Sequence, residues 1–414
     1  MSTETTLEVH LEDARETSLV GRAHFTRHRG QVSTTFLYDP DYLARGGMSI
    51  DPALPLVTGA QHQVGLVRAF GDGAPDRWGR GLIEQAERAR ARTEHRAPRR
   101  LDDLDYLLGV SDDTRQGALR FRRPDSSTFL GPPATVPALI SLPTLLHASD
   151  ELAAGDDSSR AVKQLLDTGT TGLGGARPKA SVRLEDGSLA IAKFPHGGDQ
   201  WDVMAWEATA LDLMERAGIR TPTRRLTRVG DRGVLLLRRF DRSSEGRRIG
   251  YISAMTALGA SDGDHRDYTE ITEAVRDLSA SPRSDLSELF ARVVTSVLVG
   301  NTDDHLRNHG FLSVGDAWTL SPAFDVNPTP DPWRSRSTTI LGADALPDEA
   351  EVLLDFAEEC DVTAAQARRS ISSITTAVSA WRGVARGNGI TEQEIARMAE
   401  SMEPRMRAVA AAAG

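Results

Sequence analysis

The sequence predicts an α+β chain: strands crowd its beginning, a hairpin and one strong helix fill its middle, and helices dominate its end. Three observations carry this. Up to about Tyr38, runs such as "GRAHFTRHRGQVSTTFLYDP" alternate apolar and polar residues, the period of strands with one buried face. In "ASVRLEDGSLAIAKFP", two strand-like runs flank Asp186-Gly187, a pair suited to a tight turn because both residues tolerate positive φ. Farther on, apolar residues recur at helical spacing over 269–279, 284–299, 348–358, 362–383 and 391–412.

The elements follow in order. "APDRWGRGLIEQAERARAR" opens on Ala-Pro-Asp, a helix entry, and carries Trp78, Leu82 and Ile83 at helical spacing. "LDDLDYLLGV" reads as a short apolar helix and "GALRFR" as a strand. From Arg122 to Ser159 the chain turns rich in Pro, Ser, Thr and Asp, a connector with a short helix near Leu142–His147. A boundary is expected near residue 135, dividing the chain into 1–135, 136–240 and 241–414. In "DVMAWEATALDLMERAGI", Val203, Trp206, Ala210, Leu213 and Met214 share one helix face, and Gly218 stops the helix. "GVLLLRRFDR" is a buried strand running into a polar segment. The loop-like 300–345 region holds short strands at Gly310–Ser313 and Trp318–Leu320.

Composition limits the function. The 414 residues are too many for one small domain, and 39% hydrophobic with 26% charged residues is ordinary for a globular protein. A formal net charge of −10 argues against the whole chain as a nucleic-acid binder. The arginines between Arg68 and Arg100 alternate with Glu84, Glu87 and Glu94, the pattern of a solvated helix face. Cys360 is the one cysteine, so an intramolecular disulfide is excluded, which suits a reducing compartment. The opening residues lack a basic and then apolar leader, and the best apolar run, "VVTSVLVG", is far too short to span a bilayer. A cytoplasmic protein without a membrane anchor is expected.

Four stretches carry chemistry. "GTTGLGGARPK", Gly169 to Lys179, offers backbone N–H groups to an anion but is neither a Walker loop nor a dinucleotide fingerprint; alone it is equally a flexible turn. Lys193 stands in the apolar strand "LAIAKFP", so it either lies on an exposed face or has a partner. "GNTDDHLRNHGF", Gly300 to Phe311, crowds Asp, His and Asn together. Its Asp303 and Asn308 are five apart, the spacing of a kinase base and its metal-binding Asn; Asp304 misses that spacing. Asp325 in "LSPAFDVNP" follows where a kinase's magnesium-holding Asp would stand, although the order is Phe-Asp-Val. A Gly-rich loop, a strand Lys, a helix Glu (Glu207) and this pair of loops come in the order of the parts of a protein kinase.

The stretches "TGLGGARPKASV", "AIAKFP", "RRFDR", "NTDDHLRNHGF" and "LSPAFDVNP" resemble the motif series of HipA-family serine/threonine kinases, the toxin halves of HipBA toxin–antitoxin systems. "FLYDPDYLARG", "PDRWGRGLIE" and "LDYLLGVSDDTRQGALRF" resemble the N-terminal domain of full-length members, so the resemblance covers nearly the whole chain. It implies a bilobal protein-kinase-like fold with an added β-rich N-terminal subdomain and a mostly helical C-terminal lobe. By the same resemblance Asp303 matches the catalytic base, Asn308 and Asp325 the magnesium ligands, and Lys193 the lysine on the ATP phosphates, with Glu207 orienting it. Gly172, Gly174 and Gly175 cover the phosphates. Arg239, Phe240 and Asp241 match the hinge that meets adenine, Phe240 near the base and Asp241 at the ribose. Members often carry Glu where this chain has Arg238, which favours backbone contacts there. Gly172 stands where HipA toxins autophosphorylate a Ser, which makes Thr170 or Thr171 the expected site if that regulation is kept.

The resemblance implies ATP and magnesium as cofactors, an aminoacyl-tRNA synthetase as the class of protein substrate, and a HipB-like helix-turn-helix antitoxin as partner. DNA is then met only through the antitoxin, in keeping with the acidic balance. Rival readings are a small-molecule kinase on the same scaffold, a non-catalytic partner of a DNA-binding protein, and a metal hydrolase using His305, His309 and the two Asp. In the kinase reading His305 and Arg307 support the loop, while Asn301 and Asp304 shape it.

Overall fold

The computed structural model describes residues 3–12, 16–153, 159–169 and 177–413. The chain forms two compact units, Met1–Gly198 with Leu236–Ile252, and Asp199–Leu235 with Ser253–Gly414. Residue 135 therefore falls inside the first unit.

The first unit opens with β1 (Thr3–Glu12), β2 (Thr17–His28) and β3 (Gln31–Tyr38), then α1 (Pro40–Ala44) and β4 (Gln61–Val64). Helices α2 (Arg68–Asp72), α3 (Arg77–Thr93) and α4 (Asp103–Leu108) lead to β5 (Leu119–Arg122). These strands make one antiparallel sheet in the order β4-β3-β2-β1-β5. The alternation read from the sequence becomes its buried face: Leu7, Val9, Ala23, Phe25 and Phe36 are fully buried, and Phe70 and Phe121 join their ring cluster. The arginines of α3 pair with the neighbouring glutamates, Arg88 with Glu84 and Arg90 with Glu94, as a solvated face requires.

The connector is more ordered than its composition suggests. Phe129 bridges to Arg122, and α5 runs through Leu142–Ala153 rather than stopping near His147, because Leu145, Leu146, Ser149 and Leu152 keep one side buried. Helix α6 (Ser159–Asp167) packs on α5. The expected hairpin is β6 (Lys179–Arg183) with β7 (Leu189–Lys193). Its turn differs from the expectation: Gly187 has φ 79° while Asp186 stays out of the left-handed region. The loop is longer than two residues, closed by Gly187 N–H on the Leu184 carbonyl, and the Asp186 carboxylate accepts from Ser188 instead.

The second unit begins with α7 (Val203–Arg216), ended by Gly218 at φ 84°, then β8 (Arg224–Val229) and β9 (Arg232–Arg238), whose last residues return the chain to the first unit. After β10 (Tyr251–Ser253) come α8 (Ala254–Ala257), β11 (Arg266–Asp267), α9 (Tyr268–Leu278) and α10 (Pro282–Val299). The hairpin β12 (Gly310–Val314) with β13 (Ala317–Leu320) matches the short strands expected, and β14 (Thr338–Thr339) pairs in parallel with β11. The helix expected over 348–358 is two, α11 (Asp348–Glu351) and α12 (Leu353–Glu359). That expected over 362–383 is α13 (Ala364–Ser379), followed by α14 (Trp381–Gly387) after a break at Ala380. The chain closes on α15 (Glu392–Ala413). Among the described residues no helix is long and apolar enough to cross a membrane.

A chain of buried ions crosses this unit. Arg336, Glu349 and Arg405 have fully buried side chains. Glu349, on α11, accepts from Arg336 Nε at 2.9 Å and from Arg405 of α15. One carboxylate thus answers two guanidinium groups that water does not reach. Removing one partner of a buried pair costs about 3–5 kcal/mol. Glu349→Gln keeps the shape and loses the charge, so chemical denaturation should show a loss of about that size. A loss below about 1 kcal/mol would contradict this account of the unit's interior.

Candidate active site

Helix α10 sets the position of the Asp/His/Asn stretch. It ends at Gly300, which is left-handed at φ 69°, and the Asn301 N–H returns to the Ser296 carbonyl. Another residue would be strained here, both by the left-handed φ and because a Cβ would lie 3.1 Å from Arg405 Nε and Ser401 Oγ. The chain then passes residues 301–305 and a 3-10 turn, Leu306–Asn308, before entering β12.

The two aspartates of this stretch have opposite surroundings. The Asp304 side chain is 9% exposed, against 62% for Asp303. Asp304 accepts from His309 Nε2 at 2.9 Å, from the Tyr268 hydroxyl and from Ser296 Oγ at 3.4 Å. Burial alone would raise its pKa. His309, Tyr268 and the nearby Arg336 outweigh burial and hold it down to about 2. Burial and the Asp304 charge push the Tyr268 phenol up, so it remains a donor. Arg336 donates to the Tyr268 hydroxyl at 3.3 Å and joins Asp304 to the Glu349–Arg405 chain. Asp303 instead turns its carboxylate outward, and its partner among the described residues is Arg334 Nη2 at 3.8 Å.

Asn308 is tied to Asp303. Its Nδ2 donates to the Asp303 carbonyl at 3.1 Å, and its N–H closes the 3-10 turn on the His305 carbonyl at 2.8 Å. Five residues is therefore the span of one compact turn. Arg307 anchors the outside of that turn by two bonds to Asp262, each 2.8 Å. His305 is a weaker support than expected: among the described residues its buried Nδ1 has no hydrogen-bond partner. Asp325 is brought alongside. Asn301 Oδ1 accepts from the Asn327 N–H at 3.0 Å, and the Gly300 carbonyl from Thr329 N–H at 3.1 Å. Asn327 Nδ2 in turn donates to the Asp325 carbonyl and to Asp325 Oδ1, each at 3.3 Å. Asp325 adopts φ 58°, a left-handed conformation uncommon outside glycine and a mark of a constrained segment.

Could this loop pair hold a metal? Among the described residues no group of three or more His, Cys, Asp or Glu is placed for one. His309, which a hydrolase would need as a ligand, spends Nε2 on Asp304. Asn308 and Asp325 offer one amide and one carboxylate, hard oxygen donors that suit magnesium when phosphate oxygens complete its shell.

The remaining expected residues belong to other elements. Lys193 is 8% exposed at the end of β7, facing Lys179 in the register of β6, so the exposed-face alternative falls. Lys179 is itself buried, and Nζ meets Asp76 at 2.6 Å; Asp76 also caps α3 through the Gly79 N–H. Glu207 is fully buried on α7. In "RRFDR", Phe240 is half-buried near the Tyr251 ring. Arg239 and Asp241 are both buried, and the Asp241 carboxylate accepts from Arg239, Arg242 and the Gly117 N–H. Those arginines overcome burial and depress its pKa. A carboxylate so engaged fixes the segment, and a ribose would have to displace its partners. Gly172, Gly174, Gly175, Thr170 and Thr171 lie outside the described residues; the neighbouring Thr168 is buried, with its hydroxyl on the Leu165 carbonyl.

Sequence reasoning missed Tyr268, Arg336, Glu349, Arg405 and Arg334. No spacing links Tyr268 to a loop reached after α10, and "RSRS" reads as solvated charge.

The Asp304 environment has a pH signature. A depressed pKa gives stability that is present above the ordinary aspartate value and lost as pH falls through the folded one. The wild-type chain should lose about 2 kcal/mol more than Asp304→Asn between pH 4 and pH 2. Urea unfolding at those two pH values measures it, and equal losses would refute it.

The comparisons with known proteins agree with this architecture. Residues 171–381 match the model of the HipA-like C-terminal domain family. HipA of Shewanella oneidensis MR-1, solved with HipB and its operator DNA, aligns with a TM-score of 0.62 at 15% identity over 98% of this chain and 96% of that one. The Helicobacter pylori proinflammatory kinase CtkA gives 0.40 at 14% identity, over 57% of this chain and 92% of that one. Choline kinase LicA of Streptococcus pneumoniae gives 0.20 at 13%, over 58% and 92%. No curated protein matches. At such identities the Shewanella match establishes the fold, and the α+β expectation holds across the chain. With the family model spanning more than half of its length, this chain belongs to the HipA-like family.

Proposed function

We propose that the chain is an ATP-dependent serine/threonine protein kinase that acts as the toxin of a toxin–antitoxin pair. One observation carries the chemistry: Asp303 turns its carboxylate outward while its backbone carbonyl accepts from Asn308, in a loop pinned to the left-handed Asp325 segment. A base must reach its substrate, so of the two neighbouring aspartates the exposed one suits the role. Asp303 takes the proton of the acceptor hydroxyl while the hydroxyl oxygen bonds to the γ-phosphorus. The bond from that phosphorus to the β–γ bridging oxygen breaks, and ADP leaves. Asn308 and Asp325 would hold magnesium, which would supply positive charge to the phosphates. Lys193, with Glu207 to orient it, and the backbone of Gly172, Gly174 and Gly175 hold the phosphates. The adenine is met by the Arg239–Asp241 backbone.

Family membership supports a HipB-like helix-turn-helix antitoxin as partner, since the Shewanella relative was solved with HipB and operator DNA. The net charge of −10 favours DNA contact through such a partner. A cytoplasmic aminoacyl-tRNA synthetase, whose modification would stop translation, is the proposed substrate class, and the division at residues 135 and 240 is the proposed domain plan.

The test is transfer of labelled γ-phosphate to protein. Asp303→Asn should lower it at least 100-fold without changing thermal stability, and Asp304→Asn should lower stability as well. Undiminished transfer by Asp303→Asn would end the assignment.

A further inference from the structure

We propose that Trp333 and Arg334 form the docking element for the acceptor polypeptide, a role that rests on the phosphotransfer reading above. The segment from 331 to 337 is fixed on both shoulders. On one side the Asp331 N–H donates to Thr329 Oγ1 at 3.3 Å, and Asp331 Oδ1 accepts from Trp333 N–H at 3.0 Å. On the other, the Arg336 side chain is buried against Glu349, its N–H donates to the Asp344 carbonyl, and Ser337 N–H donates to that of Thr302, each at 2.8 Å. The crest between these shoulders is solvent-facing. Trp333 is 82% exposed, and half of the Arg334 side chain is exposed.

Neither side chain is buried in the fold. An exposed indole forgoes the burial that makes tryptophan useful in a core, while exposed Trp and Arg are the side chains that dominate binding energy when a partner covers them. The Arg334–Asp303 contact is 3.8 Å between two groups more than half exposed, too long for a hydrogen bond and too screened to matter for stability. The forked donor edge of Arg334 therefore stands beside the carboxylate that receives the acceptor hydroxyl, unspent on a hydrogen bond among the described residues. A guanidinium in that place suits a phosphate ester oxygen.

The occupant is a polypeptide. Small-molecule sites enclose most of their ligand, and a tryptophan this open encloses nothing. A polypeptide that brings its hydroxyl to Asp303 has neighbouring side chains to lay on Trp333. Arg334 then moves from the Asp303 carboxylate to an oxygen of the transferred phosphoryl group.

The experiment uses the full chain, labelled ATP and a graded series of a bacterial cell extract as acceptor. Trp333→Ala should raise the extract concentration for half-maximal labelling about tenfold, with the ATP concentration for half-maximal labelling unchanged. Arg334→Ala should lower the maximal labelling about tenfold, and Arg334→Lys should recover part of it. If the wild-type chain labels protein and Asp303→Asn does not, yet both crest variants match the wild type, the docking role is wrong and the kinase reading stands. If the wild-type chain labels no protein, or Asp303→Asn labels as well as it does, both fall.

Discussion

Arg336 carries a fixed positive charge at a place that water does not reach. Such a charge has to be answered locally, because a bare guanidinium in an apolar interior is far too costly to keep. The answer comes from two directions, Glu349 on one side and Tyr268 with Asp304 on the other. Glu349 needs Arg405 as its second partner, and Arg405 lies against Gly300. A helix terminus, a turn and two distant helices are thus drawn to one line of charges. Apolar side chains could fill that volume at less electrostatic cost, but they would not aim Asp304 or fix the loop that carries it. What the ion chain provides is placement.

That placement separates two chemically identical side chains one residue apart. Asp304 is held inward by a phenol, an imidazole and a hydroxyl, and the turn it anchors leaves Asp303 facing out. The inward residue stiffens the outward one through the backbone, and the amide of Asn308 closes the same turn from the far side. Asn301 and Asn327 then join this loop to Asp325 by short side-chain-to-backbone links. The stretch that looked from its composition like a metal cluster is a scaffold built mostly from groups that bind one another.

Much of this was legible in the sequence, and the residues show where legibility stops. The strand alternation up to Tyr38, the helix from Val203 and the strand pair around Gly315 all follow from local periodicity and turn residues. The five-residue spacing of Asp303 and Asn308 was visible because one compact turn sets it. Turn geometry was less so: Asp186-Gly187 fits two loop lengths, and the choice depends on how the flanking strands pair. Pairings across long stretches of chain left no local trace. Asp76 caps a helix and also answers Lys179, and Arg336 looks like one more loop arginine until Glu349 stands beside it. The hold on the Asp241 carboxylate is half hidden in the sequence: Arg239 and Arg242 stand beside it, but Gly117 lies far back in the chain.

Gly300 and Arg405 give the order of synthesis a meaning. When residues 300–309 leave the ribosome, their turn is already encoded, but the arginine that answers Glu349 and packs on Gly300 is still untranslated. Segments made first can fold first, yet Glu349 gains its second counter-charge only with α15. A nascent chain stalled before that helix would carry the Asp303–Asn308 turn and Asp325 but leave Glu349 one guanidinium short.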